Sequence, residues 1–409
     1  MSYSLKNKHI VLVVTGGIAA YKSAQLVREL EREGAMVRVA MTKAAAKFVT
    51  ELTFQTLSKN PVATDLWAER SEIGHISLAD WAQAVVIAPA TGNIIGKMAG
   101  GIADDFVSTF LLAVKAPILV CPSMNVNMFD HPAVQGNIRH LQDWGYRVLE
   151  PDQGYLACGW EGRGRLPDLP IIVEELKKLL AQGDLIGLRV LVTAGPTREP
   201  WDDIRYLSNR STGRMGLALA QAAWRRGAEV TLITGPINLP VPYGVRQVTV
   251  ETTNDMLDAV HRELPGTNVL VKAAAPADFR PATRVQGKVK KGRIPPPIEL
   301  APNPDILKSI GEEGRNCFLV GFAAESENLL ENAKAKLAAK NLDLIVANQI
   351  GPADQSFGAE TNRVWIIDRQ NSVEEIPLAT KEDIADHIWD RIVTRLYLKP
   401  SPYKAANEA

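Results

Sequence analysis

The sequence predicts an α/β fold built twice: two Rossmann-like domains, each a mainly parallel sheet with helices on both faces. Three observations lead there. Apolar runs such as Ile10 to Val14 and Ala84 to Ala88 show no polar alternation, so these strands are covered on both sides and run parallel. Strand-like and helix-like patterns alternate along both halves. Finally, a strand twice delivers a small-residue turn to a helix start. The first case is Thr15-Gly16-Gly17; the second is Ala194-Gly195-Pro196-Thr197 with Ser211-Thr212-Gly213-Arg214-Met215-Gly216, about 180 residues later. Backbone N–H groups at such helix starts favour an anion, so one nucleotide-scale site is expected in each half.

Composition sets the bounds. A chain of 409 residues exceeds a usual single core, and a boundary is expected at Gln182-Gly183-Asp184, giving domains 1–182 and 183–409. With 46% hydrophobic and 22% charged residues the chain is an ordinary globular one. Zero net charge and the lack of a long basic run give no support to nucleic-acid or membrane attraction. No apolar stretch has membrane length, and MSYSLKNKHI lacks a signal-peptide core. Three cysteines, Cys121, Cys158 and Cys317, cannot all pair, which fits a reducing cytoplasm.

In the first half, strands are expected at Ile10–Thr15, Met36–Met41, Ala84–Ala88, Pro117–Cys121 and Arg147–Leu149. Helices are expected at Ala20–Glu33, Lys43–Leu57 with a break near Thr50, Asn93–Ala99, Asp105–Leu112 and Ala133–Trp144. Pro151 to Pro170 is rich in Gly and Pro and shows no period, so it reads as a long functional loop or flap. A helix, Ile171–Ala181, leads to the boundary. In the second half, strands are expected at Arg189–Thr193, Glu229–Ile233, Arg246–Val250, Val269–Ala273, Phe318–Phe322, Leu344–Ala347 and Val364–Ile367. Helices are expected at Met215–Arg226, Thr253–Leu264, Ile306–Ile310, Leu329–Lys340 and Lys381–Leu396. Between Phe279 and Pro304 the pattern lapses into KVKKGRIPPP, an exposed arm or a substrate flap.

Single motifs are weak. The turn at Thr15 to Ala19 is not G-x-G-x-x-G, and any α/β protein can carry a glycine turn there. Gly92 to Lys97 resembles a P-loop but is one residue short and is rejected. A lone histidine such as His75, in GHISLADWA, is more often structural. Asn125 follows a strand end, where ligands bind in open parallel sheets, although a turn residue is the plainer reading. Cys158 sits on a Gly-rich loop, an odd place for a cysteine kept only for packing. Together the three suggest an active site. Lys288, Lys290 and Lys291 read most simply as solvated surface. Yet Lys336 and Lys340 form an i, i+4 pair that repels itself, which argues for a polyanion.

In order along the chain, TGGIAAYK, GHISLADWA, APATGNIIGKMAGGIADD, PSMNVNM and ACGWEGRGRL resemble the homo-oligomeric flavin-containing cysteine decarboxylases. TAGPTREPWDDIRYLSNRSTGRMG, KAAAPADFR, KVKK, NPDIL, VGFAAE and NLDLIVAN resemble phosphopantothenate–cysteine ligases. The arrangement of both resembles the bifunctional coenzyme A biosynthesis enzymes of bacteria, over nearly the whole chain. Trp160 departs from the decarboxylase loop, which has an acidic residue there; Glu161 follows.

The resemblance implies a fold, two activities and a set of roles. The ligase half would use CTP and Mg²⁺ to activate 4′-phosphopantothenate as an acyl-CMP, which the cysteine amine attacks. The decarboxylase half would use FMN to oxidise the product's thiol to a thioaldehyde. CO₂ then leaves, and the enethiolate takes back hydride and a proton as 4′-phosphopantetheine. His75 would assist proton movement, Asn125 would hold the substrate carboxylate, and Cys158 would give the proton in the reductive step. The FMN phosphate would lie at Gly16, Gly17, Ile18 and Ala19, with Thr42, Thr91 and Asn93 nearby. Asn209 and Arg205 would engage the acyl-CMP. Lys288 would neutralise charge during acyl transfer. CTP would meet Lys272, Ala273, Ala274 and Asp278, then Pro304, Asp305, Ile306 and Leu307, then Phe322, Lys336 and Lys340. No Mg²⁺ ligand is singled out. A homo-oligomer with trimeric flavin domains and dimeric ligase domains is implied. The rivals are a flavin decarboxylase of peptide cysteines, a flavin prenyltransferase and a non-catalytic regulatory subunit. The first two leave the second half unexplained; the third sits badly with His75, Asn125 and Cys158 together.

Overall fold

The computed structural model describes residues 5–66, 74–155, 159–289, 297–312, 316–349 and 359–398. The chain divides into two compact units, one spanning Ser4–Ala181 and the other Gln182–Ala409.

The first unit runs β1 (His9–Val14), α1 (Ala20–Arg32), β2 (Met36–Met41), α2 (Glu51–Ser58), β3 (Val62–Ala63), α3 (His75–Trp81), β4 (Ala84–Ala90), α4 (Gly92–Gly100), α5 (Phe106–Ala113), β5 (Ile118–Pro122), α6 (Val126–Phe129), α7 (Pro132–Asp143), β6 (Arg147–Val148), β7 (Asp152–Tyr155), β8 (Glu161–Arg165) and α8 (Leu169–Leu179). Strands β1 to β6 form one parallel sheet in the order β3-β2-β1-β4-β5-β6. Ile10 stands level with Val37 on one side and Ala84 on the other. The lack of polar alternation in β1 now has its cause. Ile10, Leu12 and Val14 pack with Leu26, Val27 and Leu30 of α1 and with Ile172 and Leu176 of α8. Val11 and Val13 face the opposite core, made by Ile94 and Ile95 of α4, Phe106 and Phe110 of α5, and Leu141 of α7. Each fully buried side chain of this kind contributes about 2 kcal/mol.

The second unit runs β9 (Arg189–Ala194), β10 (Arg198–Pro200), β11 (Tyr206–Ser208), α9 (Arg214–Arg225), β12 (Glu229–Thr234), β13 (Arg246–Thr249), α10 (Thr253–Glu263), β14 (Val269–Lys272), β15 (Phe279–Pro281), β16 (Leu300–Pro302), α11 (Ile306–Glu312), β17 (Phe318–Glu325), α12 (Leu329–Ala339), β18 (Leu344–Gln349), β19 (Thr361–Asp368), β20 (Val373–Thr380) and α13 (Lys381–Leu398). Its sheet has the order β13-β12-β9-β14-β17-β18-β19-β20, parallel as far as β18 and antiparallel for the last two. Val190 and Val192 face α9 and α13, and Leu191 faces α10, α11 and α12. Both units are therefore Rossmann-like, with helices on both faces of the sheet.

The break expected near Thr50 within Lys43–Leu57 is present: a short 3₁₀ turn, Ala45–Lys47, precedes the extended Thr50 and α2 follows it. Other expectations change. The segment expected as a long functional loop or flap from Pro151 carries the antiparallel β7–β8 hairpin; its polar and glycine residues gave no apolar period to read. The excursion after Phe279 opens and closes in a second antiparallel pair, with Phe279 opposite Pro302. Strand β20 and the short elements α3, α6, β3, β10 and β11 went unread because each is brief or alternates weakly. Among the described residues, no helix is long and apolar enough to cross a membrane. Cys121 and Cys317 are buried, and burial pushes the Cys121 thiol well above its usual range.

The boundary segment is fastened by a charge. Arg226, only 1% exposed, ends α9. Its guanidinium pairs with both carboxylate oxygens of Asp184 and donates to Asp390 Oδ1 of α13 at 2.8 Å. Removing Arg226 leaves the Asp184 and Asp390 carboxylates, 18% and 37% exposed, within reach of water, so Arg226→Ala should destabilise the second unit by about 1.5–3 kcal/mol, the worth of charged hydrogen bonds. Urea denaturation checks this; a loss below about 1 kcal/mol, typical of an exposed pair, would contradict it.

Candidate functional site

In the first unit the site is built where the strand order reverses, between β1 and β4. Thr15 leaves β1 and donates through Oγ1 to Pro89 O at 2.6 Å, while Thr91 N donates back to Thr15 Oγ1 at 3.1 Å. These bonds stitch the carboxyl ends of the two strands together. The helix that follows β1 is left open: Ala19 stands at the cap position of α1 without a side-chain bond, and no acidic residue lies in the first turn. Ala20 N and Lys22 N turn back onto Gly17 O and Ala19 O at 2.9 and 3.0 Å, so an anion would be met by the other N–H groups of this turn and by the helix dipole. By contrast, α4 and α5 are capped by Thr91 and Asp105. Gly16 has no room for a side chain, since a Cβ there would come within 2.4 Å of Ala44 Cβ.

A cavity of about 1040 Å³ opens on this point. Gly16, Gly17, Ile18, Ala19, Thr42, Thr91 and Asn93, the residues expected around FMN, all line it. Thr42 and Thr91 also serve the fold, since Thr42 Oγ1 accepts from Ala45 N at 3.2 Å and Thr91 Oγ1 from Ile94 N at 3.5 Å. Asn125 joins them. Its Oδ1 accepts from Asn127 N at 2.8 Å, which caps α6 and makes the amide NH₂ the end suited to a carboxylate. The β7–β8 hairpin closes one side with Tyr155, Gly164 and Arg165, and Met124 N donates to Gly164 O at 3.0 Å. His75 begins α3, half-buried, and is not among the residues lining the cavity. Cys158 lies outside the described residues.

Lys97 and Asp105 were missed. Both line the cavity, and Lys97 Nζ lies 2.6 Å from Asp104 Oδ1 and from Asp105 Oδ2. Burial opposes the Lys97 charge, but these two bonds outweigh it and hold its pKa above the ordinary lysine value. The segment Gly92 to Lys97 is the start of α4, not a phosphate loop, in line with its rejection as a P-loop.

The second unit repeats the plan. Helix α9 starts at Gly213, φ +79°, with no side-chain cap and no acidic first turn. It opens on a cavity of about 630 Å³. Asn209, Lys272, Ala273, Ala274 and Asp278 line it, as do Pro304, Asp305, Ile306, Phe322 and Lys340. Asn209 Nδ2 donates to Ala275 O and Pro276 O, both at 2.9 Å, which ties the Asn209 turn to the segment leaving β14. Half-buried at the end of β14, Lys272 is pushed down to about 8, first by burial and then by the Lys340 charge, with Asp305 and Asp278 pulling the other way.

Four expected residues stand elsewhere. Leu307 is buried in the core beneath α11. Lys336 pairs with Glu325 Oε1 at 2.5 Å and is not in the cavity lining. Lys340 pairs with Asp305 Oδ2 at 2.8 Å. The repulsion argued for Lys336 and Lys340 is thus met by carboxylates of the chain itself, and Lys340 lies just past the end of α12. Arg205 and Lys288 lie together outside the cavity lining, where Arg205 donates to Val289 O at 2.9 Å. Lys290 and Lys291 fall outside the described residues. Arg214 and Lys381 line the cavity and had not been singled out as site residues; the start of α13 gave no local signal for Lys381. Among the described residues no cluster of His, Cys, Asp and Glu could hold a metal ion.

Comparison with known proteins accords with this division. Residues 1–181 match the family model described as Flavoprotein, and residues 185–396 the one described as DNA/pantothenate metabolism flavoprotein C-terminal domain. The coenzyme A biosynthesis bifunctional protein CoaBC of Bacillus subtilis (strain 168) is 46% identical over 394 residues, covering 95% of this chain and 97% of that protein. The protein of the same name from Escherichia coli (strain K12) is 43% identical over 399 residues, covering 96% and 98%. A crystal structure of the C-terminal domain of a CoaBC protein aligns at 40% identity with a TM-score of 0.46, covering 53% of this chain and 99% of that one. With relatives this similar along nearly their whole length, and with a flavoprotein half and a pantothenate-metabolism half in one chain, this protein belongs to the family of bifunctional coenzyme A biosynthesis proteins.

Proposed function

We propose that the second unit joins cysteine to 4′-phosphopantothenate with CTP and Mg²⁺, and that the first unit decarboxylates the 4′-phosphopantothenoylcysteine so formed to 4′-phosphopantetheine. One observation supports this above the rest. Each unit sets an uncapped helix start beside the reversal of strand order, and each start opens on a cavity of nucleotide size.

In the first unit the residues present fit FMN. The α1 start supplies N–H groups for a phosphate, Gly16 leaves the close approach that a side chain would block, and the cavity is large enough for a tricyclic ring. Bound there, FMN would supply reversible two-electron redox chemistry for the substrate's thiol carbon. The chain's own groups do the rest. Asn125 donates to the substrate carboxylate and orients it for loss of CO₂. Cys158 gives the proton that completes reduction of the enethiolate, a task for which a thiol is acidic enough. His75 serves proton movement; its place outside the lining fits a homo-oligomer in which the site is completed by further chain contacts. The family resemblance implies trimeric flavin domains and dimeric ligase domains. Three cysteines, which cannot all pair, fit a reducing, cytoplasmic setting.

In the second unit, Lys272 to Ala274, Asp278 and Pro304 to Ile306 hold the nucleotide, with Phe322 and Lys340 at its side. Asn209 orders the backbone beneath the acyl-CMP. Lys288 lies on an arm and adds charge when the acyl–phosphate bond breaks and CMP gathers negative charge.

Incubating the protein with 4′-phosphopantothenate, cysteine, CTP and Mg²⁺ and following products by mass tests the whole reading; no amide or no loss of CO₂ would remove the corresponding half. Cys158→Ser should stop after CO₂ release, giving a product two hydrogens short of 4′-phosphopantetheine. Normal output of 4′-phosphopantetheine would take Cys158 out of the mechanism. Lys288→Gln should release pyrophosphate and accumulate acyl-CMP at saturating CTP, with slow amide formation. If it merely needs more CTP and then turns over fully, the lysine only attracts the nucleotide.

The depressed Lys272 adds a pH dependence. Below about pH 8 the free chain carries Lys272 protonated and favours the triphosphate; above it the charge is lost. A bound anion raises the lysine's pKa, so CTP affinity should fall as the pH rises past about 8, and binding there should take up protons. Calorimetry in two buffers of different ionisation heat reads this. An unchanged proton uptake in Lys272→Met would assign it to another group.

A further inference from the structure

Lys288 lies between two anchored neighbours. The turn joining β10 to β11 presents Trp201, Asp202, Asp203 and Arg205 to the arm that leaves β15. The Asp202 side chain is wholly buried. Its Oδ1 accepts from Ile204 N at 2.9 Å and Arg205 N at 2.7 Å. Its Oδ2 accepts from Arg205 at 3.0 and 2.7 Å, and from Val289 N at 3.3 Å. Arg205 in turn donates to Val289 O at 2.9 Å, so both polar groups of Val289 are gripped. On the other side of Lys288, Gly287 N donates to Asp203 Oδ2 at 2.9 Å, with Gly287 at φ +75°, a conformation that a side chain would strain. Val285 N donates to Trp201 O at 2.8 Å and Arg284 to Asp203 Oδ1 at 3.0 Å. Lys288 itself is exposed and none of these bonds uses its ammonium group.

We infer that Asp202 is a positioning residue of the ligase step: its carboxylate, with Arg205, locks the Val289 peptide and so sets where the Lys288 side chain can reach. Asp203 supplies the second, weaker anchor at Gly287. The inference rests on the role given above to Lys288 in acyl transfer, and it changes that of Arg205, which acts here through the arm backbone. The chemistry of the clamp suits the task. Burial alone would raise a carboxyl, yet the Arg205 guanidinium and the backbone N–H groups hold Asp202 far below the usual carboxylate range, so it stays an acceptor at any working pH. An asparagine in its place turns an NH₂ towards N–H donors and loses at least one of the two bonds at the Val289 side. Misplacing a charge by about 1 Å is enough to slow a step on the order of 100-fold.

The test is a double-mutant cycle on the full chain, reading pyrophosphate, acyl-CMP and amide by rapid quench at saturating CTP. Asp202→Asn should leave pyrophosphate release intact, accumulate acyl-CMP and slow amide formation on the order of 10–100-fold. The double variant Asp202→Asn/Lys288→Gln should be no slower than Lys288→Gln alone, because the aspartate acts only through the lysine. Additive slowing, or a loss that falls on CTP binding, overturns the inference. Should Asp202→Asn fail to fold, Asp203→Asn, at a side chain 51% exposed, takes its place in the same cycle with a smaller effect in the same direction. If Lys288→Gln traps acyl-CMP and neither aspartate variant does, the lysine's role stands and the clamp alone is wrong. If Lys288→Gln turns over normally, the lysine's role falls and the clamp falls with it.

Discussion

Both cavities depend on one topological constraint. In a parallel sheet that grows outward from its first strand in both directions, the connections after neighbouring strands leave to opposite faces. The carboxyl ends of those two strands cannot then be covered by the same loop. In the first unit this happens between β1 and β4, and in the second between β9 and β14. The crevice is a by-product of winding, present before any functional residue is placed. What the sequence adds is a helix start without a cap on one wall and a polar strand end on the other: Ala19 and Thr91 in one case, Gly213 and Lys272 to Ala274 in the other.

The positive charges of the second unit divide by surroundings more than by motif. Lys336 and Lys340 are each answered by a carboxylate of the same chain. Lys272, drawn into the cavity wall, has the charges of Asp305 and Asp278 in support of its ammonium form, but burial dominates. Arg205 is spent on a buried aspartate and a peptide carbonyl. Residues of one formal charge, drawn from a short run of motifs, thus serve as a tether, a titrating site group and a backbone clamp.

The fold was legible because fully covered strands and amphipathic helices leave long, regular patterns. Met36–Met41 needed no revision at either end, and the helices flanking the sheets moved by a residue or two. What escaped were elements held by something other than a buried apolar face. The β7–β8 hairpin pairs Gln153 with Arg163 and Gly154 with Gly162, residues whose pairing no hydrophobic period announces. In the site, the turn from Gly16 to Ala19 could be read as a stretch because its residues are contiguous. Lys97, Asp105, Arg214 and Lys381 reach the cavities from helix starts and helix interiors far apart in sequence, and only tertiary packing brings them there. Leu307 shows the reverse. Membership of a motif placed it at a site, whereas in this chain its side chain fills the core.

The central strands β1 and β9 each serve two cores with alternate residues, and this bears on how chain length can vary. A single residue inserted within Ile10 to Val14 would exchange the set facing α1 for the set facing α4 and α5. In a half-exposed strand such a slip turns apolar surface to water and is opposed strongly. Here both faces are apolar, so the slip is opposed only by mismatch of side-chain volumes, a much gentler discriminant. It would also advance the strand end by one residue, so Thr15 would no longer meet Pro89 and Thr91. Insertions and deletions in this architecture are therefore filtered at the central strands by the hydrogen bonds at the strand exit more than by the core. Natural length variation is expected to collect instead in the polar ribbons and in the connections at the opposite, amino-terminal edge of each sheet.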